Sequence, residues 1–284
     1  MSTLRTLRRR IRSVENTRQI TKAMEMVAAA KLRRAQARAQ AARPYAVKIS
    51  EMLAKLAGAA SDLDHPLFQV REVKTTVLVV VTADRGLAGA YNSNLIRAAE
   101  QRLRKAPAGS LQLILAGRKG RDYFKRRSWP TLAVHTPLPP EASLEFAREL
   151  TEDLIRRFLA GEVDRVEVMH TEFITAMTRK IVTETFLPVG ADAESRDSSG
   201  DTIFEPDAAS IFAELLPRYA TAKLFAALAD ALASEHAARM IAMGAARKNA
   251  GELIDALVLQ RNRVRQAVIT KELLDIVGGA EALK

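Results

Sequence analysis

The apolar positions of this chain change period twice. Over residues 3–57, Leu4, Leu7, Ile11 and Val14 recur at 3-4-3 spacing, and Ile20, Met24 and Val27 restart that spacing one residue short of register. The stretch is dominated by Ala, Arg, Lys, Met and Gln, with one proline, Pro44, and no glycine before Gly58. This predicts a single helix of about 80 Å at 1.5 Å per residue, kinked at Pro44. From Thr75 the pattern becomes that of buried strands: "TTVLVVVT" (75–82), "LQLILAG" (111–117) and "RVEVMH" (165–170) are short, continuous apolar runs. Helical stretches lie between them, "SNLIRAAEQRLRK" (93–105) and residues 143–161, where Leu144, Ala147, Leu150, Leu154 and Phe158 keep helical spacing. "KIVTETFLPV" (180–189) reads as a later strand and residues 190–201 as an exposed loop.

Beyond Asp207, an expected N-cap, helical periodicity returns, and no proline follows Pro217. Leu224, Leu228 and Leu232 open an apolar stripe, which Met240, Met243, Ala246, Ala250, Leu253, Leu257 and Val264 continue. The stripe is narrow and poor in bulky residues, on a helix that could run about 100 Å. The expected architecture is α/β plus coiled coil. A long antiparallel two-helix coiled coil forms from the terminal segments (1–60 and 207–284), with a small Rossmann-like, mostly parallel α/β domain (73–206) inserted between them. The last helix is the longer, so its tip should overhang its partner and leave Val268, Leu273, Leu274, Ile276 and Val277 unpaired. An exposed apolar tip implies a socket on another protein.

Charge sharpens this picture. The formal net charge of +11 is unevenly placed: residues 1–60 carry 14 Lys+Arg against 3 Asp+Glu, and residues 61–284 carry 30 of each. An acidic partner for the first helix follows, whether nucleic acid, lipid headgroups or protein carboxylates. The Arg-rich start resembles an organelle transit peptide, but the helical pattern runs on past any cleavage point. No apolar run approaches the roughly 18 residues of a membrane span. With no cysteine, disulfides, thiolate metal sites and thiol switching are excluded.

Candidate chemistry is sparse. The sequence has no Walker-type, dinucleotide, zincin or nucleophile-elbow motif, and His65, His135, His170 and His236 are widely separated. Two glycine turns follow strands. "TADRGLAGAYNSN" (82–94) could cradle a phosphate on helix N-terminal amides, but it has too few glycines for a dinucleotide fingerprint. Gly117–Gly120 has the spacing of the GXXG loop of KH domains, yet follows a strand where theirs joins two helices. Residues 1–44 hold no aromatic side chain for base stacking. No catalytic residue, cofactor site or metal site is therefore expected. A basic coiled-coil nucleic-acid-binding protein is the alternative reading, and an enzyme using the Gly86–Gly89 turn for a nucleotide is a third.

Four blocks, in order, carry a resemblance over nearly the whole chain: "NTRQITKAMEMVAAAKLRRAQ" (16–36), "TADRGLAGAYN" (82–92), "SEHAARMIAM" (234–243) and "NRVRQAVITKELLDIVGGAEAL" (262–283). The chain resembles the gamma subunit family of F-type ATP synthases, departing at Ala88, where the family usually has Cys, and at Met243-Gly244-Ala245. The missing cysteine argues against the thiol-regulated chloroplast type. The resemblance implies a non-catalytic rotor that couples proton-driven c-ring rotation to ATP synthesis on partner subunits. Its implied partners are the alpha and beta subunits, epsilon and the c-ring, not nucleic acid. Its implied place is peripheral, on the cytoplasmic face of a bacterial inner membrane. By resemblance, Arg265 and Gln266 match the catch that hydrogen-bonds a beta loop, and Met24 lies near an acidic beta lever with Lys22 and Arg18 as charge partners. Phe204, Glu205 and Asp207 match the foot that meets epsilon and the c-ring, and the apolar tip matches the axle end in its sleeve.

Overall fold

The computed structural model describes residues 4–59, 65–189 and 208–281. Packing gathers them into two compact units, Ala29–Arg239, and Met1–Ala28 with Met240–Lys284. Two long helices run through both: α1 (Leu4–Ala59), which continues through Pro44, and α5 (Ala208–Glu281), which continues through Pro217.

The larger unit is built on one sheet of order β3-β2-β1-β4-β5, comprising β1 (Thr76–Val81), β2 (Leu111–Ala116), β3 (Thr131–His135), β4 (Arg165–Phe173) and β5 (Arg179–Leu187). The β1–β2, β1–β4 and β2–β3 pairs are parallel and β4–β5 is antiparallel. β1 is buried on both faces, which explains its unbroken apolar run. Val77, Val79 and Val81 pack with Leu150, Leu154 and Phe158 of α4 (Leu144–Leu159) and with Leu216, Leu224 and Leu228 of α5. Leu78 and Val80 pack on the other face with Leu95, Ala99 and Leu103 of α2 (Tyr91–Lys105) and Phe124 of α3 (Arg118–Lys125). Ser143 caps α4, its hydroxyl accepting the Phe146 N–H at 3.2 Å. Ser143→Ala should cost about 1 kcal/mol, read as a lower midpoint in urea at unchanged slope.

In the smaller unit the two helices pair antiparallel. Leu7 and Ile11 pack against Ile254 and Leu257, and Glu25 pairs with Arg247. The seam departs from the sequence expectation. It does not restart at Ile20: Leu7, Ile11, Val14, Arg18, Thr21, Glu25 and Ala28 keep one 4-3 register, with Thr21 and Ala28 buried. Ile20 and Val27 point to solvent, at 59% and 57% exposure. On α5 it is Ile254, packed with Leu7 and Ile11, that is buried, and Leu253 is exposed. Polar residues occupy seam positions here, so apolar spacing alone locates the seam one residue out. Gly244 makes room for Glu25, whose Oε1 would lie 3.2 Å from an added Cβ, and the freed carboxylate accepts from Arg247 Nε at 2.8 Å.

Candidate functional site

The place to look for chemistry in an open α/β sheet is the crevice at the carboxyl ends of the strands where the order reverses, here beside β1 and β4. That crevice is filled by the chain itself. Small residues of α5 let it approach closely: Ala238 packs with Ala83, Ala88 and Tyr91. The Tyr91 hydroxyl donates to Ala231 O at 3.1 Å, and Ser234 Oγ donates to Thr171 O at 3.0 Å. Burial, reinforced by the nearby Glu235 charge, pushes the Tyr91 phenol above its usual range, so it stays neutral as a donor.

The amides that could have cradled a phosphate are also engaged internally. At the start of α3, Asp84 Oδ1 accepts the Arg118 N–H at 2.8 Å, Ala83 O accepts Lys119 N–H at 3.0 Å and Thr82 Oγ1 accepts Gly120 N–H at 2.9 Å. Gly117 has φ +105°, and a Cβ there would sit 2.1 Å from Thr82 O. Gly117–Gly120 is thus a strand-to-helix joint packed on Thr82, not a loop free to clamp a nucleic-acid backbone. In the "TADRGLAGAYN" turn, Asn92 Oδ1 accepts the Ala83 N–H and Asp84 Oδ2 accepts the Leu138 N–H, at 2.9 and 2.7 Å. The motif spends its polar groups on tying β1, α2, α3 and the segment after β3 together.

α5 is fastened to that turn by charge. Arg239 pairs with Glu235 at 2.7 Å and donates to Gly86 O at 3.1 Å. Burial raises the Glu235 pKa, with Arg239 opposing. His236 beside it is pushed down to about 4 by burial, then by the Arg239 and Lys31 charges. Sequence reasoning missed this cluster, because Glu235 and Arg239 declare their partners only once α5 lies on the turn.

Among the sequence-derived site residues, Met24 is half-buried in the smaller unit, and Arg265 and Gln266 are exposed on α5. Val268, Leu273, Leu274, Ile276 and Val277 are all exposed. Arg18 and Lys22 line a cleft with Arg247, Lys248 and Gly251. Phe204, Glu205 and Asp207 lie outside the described residues, as does the 190–201 loop. No helix is long and apolar enough to cross a membrane, and no cluster of metal-ligating side chains occurs, among the described residues.

These features define a class: one unit is a two-helix coiled coil, and the other is an α/β unit whose ligand crevice is closed by the chain's last helix. A family model described as ATP synthase matches residues 3–283. The chain is 48% identical over 286 residues to the ATP synthase gamma chain of Moorella thermoacetica and 46% identical over 285 residues to that of Desulforamulus reducens, each covering all of both chains. It belongs to the ATP synthase gamma chain family. In fold it is similar to a chain of the Euglena gracilis mitochondrial ATP synthase, with TM-score 0.72 at 20% identity over 99% of this chain and 94% of that one. A central stalk and c-ring structure from Tetrahymena thermophila gives TM-score 0.62 at 24% identity, over 80% of this chain and 99% of that one.

Proposed function

We propose that this chain is the central-stalk rotor subunit of a proton-translocating F-type ATP synthase, coupling c-ring rotation to conformational change at catalytic beta subunits. One observation carries the reading: the whole length matches gamma chains at close to half identity, both long helices included. The chain contributes no catalytic residue; ATP chemistry belongs to its partners. It sits at the cytoplasmic face of a bacterial inner membrane, held by epsilon and the c-ring through the foot at Phe204, Glu205 and Asp207.

The outward face of α1 carries Ala23, Met26 and Ala30 among its polar side chains. A shaft that meets a ring at many angles is trapped by deep interdigitation at any one of them, and Ala and Met give a smooth, adaptable surface. Coupling still needs a contact that differs between angles, because only differential affinity shifts an equilibrium. Arg265 and Gln266, exposed on α5, supply it as a catch for a beta loop. A hydrogen bond to a charged group contributes about 1.5–3 kcal/mol, enough to bias an angle and small enough to break at each step. Met24, with Lys22 and Arg18 nearby, meets the acidic beta lever, and the exposed tip from Val268 to Val277 sits in an apolar sleeve.

Co-expression with alpha and beta subunits tests this reading. The chain should co-purify in a complex that hydrolyses ATP, and truncation after Asn262 should leave the complex assembled but at least severalfold less active. Alpha and beta subunits purifying together without the chain would contradict it.

A further inference from the structure

Within the larger unit α1 has a basic side. Lys31, Arg34 and Arg38 recur at i, i+3 and i+7, so their side chains share one face of the helix, and the short Ala35 between them leaves room at its centre. With residues 140–142, from the segment between β3 and α4, and with Leu232 and His236 of α5, that face encloses a cleft of about 100 Å³.

A row of surface cations is ordinarily a solvated face. Two observations set this one apart. Lys31 and Arg34 form no ion pair among the described residues, while Arg38 pairs with Glu141 at the cleft, so three cations stand against one carboxylate. His236 is 6% exposed, and its Nδ1 is buried with no hydrogen-bond partner among the described residues. Folded chains pair their buried polar atoms, so an unspent ring nitrogen at a cationic cleft points to a ligand that accepts hydrogen bonds. At pH 7 this ring is neutral, held so by burial and by the Arg239 and Lys31 charges, and it can present Nδ1–H as a donor.

The size and lining narrow the ligand. The space suits one tetrahedral oxyanion, and no Phe, Tyr or Trp lines it for a nucleobase to stack on. The excess of positive charge suits a dianion. Glu141 decides which one: a carboxylate repels a fully deprotonated anion but accepts the proton that hydrogen phosphate keeps near neutral pH and sulfate lacks.

We propose that this cleft binds inorganic phosphate, held by Lys31, Arg34 and His236 and selected over sulfate by Glu141. Arg38 positions the Glu141 carboxylate. The bound anion ties α1 to α5 and to the segment before α4, all within the larger unit. The assignment stands independently of the rotor reading.

Calorimetric titration of the full-length chain at pH 7, in low-salt buffer free of phosphate, tests it. Phosphate should bind at one site with a Kd below about 1 mM, and sulfate at least about tenfold more weakly. The four histidines give a local readout: the His236 ring signals in NMR spectra should move with phosphate, and those of His65, His135 and His170 should stay. Lys31 and Arg34 are exposed, so Lys31→Gln with Arg34→Gln should leave the Tm in phosphate-free buffer unchanged while weakening phosphate at least about tenfold. Glu141→Ala should bring phosphate and sulfate to within about twofold of each other. Sulfate binding as tightly as phosphate to the wild type would reduce the cleft to a general attraction for anions and overturn the assignment, as would His236 signals that ignore phosphate or a double variant that binds it normally. ATP binding more tightly than phosphate would overturn it in favour of a nucleotide's phosphate chain.

Discussion

Arg102→Ala should destabilise the larger unit by about 3 kcal/mol, lowering its Tm by roughly 6–12 °C. Arg102 on α2 holds Glu167 on β4 through a two-pronged pair, Nε to Oε2 at 3.1 Å and Nη2 to Oε1 at 2.8 Å. The two partners are unequally wet: the arginine side chain is 34% exposed and the glutamate 9%. Removing the arginine strands a carboxylate in the interior, where neither water nor another cation compensates it. Removing the glutamate leaves a guanidinium that reaches solvent, so Glu167→Gln should cost about half as much. Replacing both, as Arg102→Leu with Glu167→Leu, should recover most of the loss, because a buried ion pair is nearly neutral against well-packed apolar side chains. Thermal unfolding of the four proteins checks the ordering; equal, small effects would contradict it.

Acidification should destabilise the same unit between about pH 6.5 and 4. In the unfolded chain His236 takes a proton near pH 6.5, whereas burial and the neighbouring Arg239 and Lys31 hold it neutral in the fold until about pH 4. Across that window the unfolded state binds more protons, so stability rises with pH and is lost as pH falls. At pH 5 the loss traceable to His236 is at most about 2 kcal/mol, from 1.4 kcal/mol per pH unit. Burial also lowers His170 and His135, which act in the same direction. Glu235 acts oppositely: its pKa is raised by burial, so the fold takes that proton first and gains stability as pH falls. Urea midpoints at pH 7 and pH 5 should therefore separate in the wild type and draw together in His236→Gln. Parallel curves would contradict the burial of a neutral imidazole.

Much of the larger unit was legible because its signals are local. A both-faces-buried strand must be continuously apolar, so β1, β2 and β4 announced themselves, as did α4 through its helical spacing. β3 went unread: "TLAVH" is short, half-exposed and set between Pro130 and Pro137, so no apolar run marks it. The seam was misplaced by one residue at Ile20 and at Leu253 because Arg18, Thr21, Glu25 and Arg247 occupy positions that spacing rules reserve for apolar side chains. Pairing across two helices, as in Glu25 with Arg247, is invisible along one. The Asp-Arg-Gly turn was visible as a motif, but its work was not: Asp84 reaches Leu138 across 54 residues of sequence and Arg239 reaches Gly86 across 153.

The central claim is that this chain turns inside a catalytic ring. The most direct measurement fixes the ring of alpha and beta subunits to a surface, attaches a bead to the α/β unit of this chain and supplies ATP. The account predicts stepwise rotation in one direction, with torque reduced when the chain ends at Asn262. ATP hydrolysis by the assembled complex with a stationary bead would contradict it.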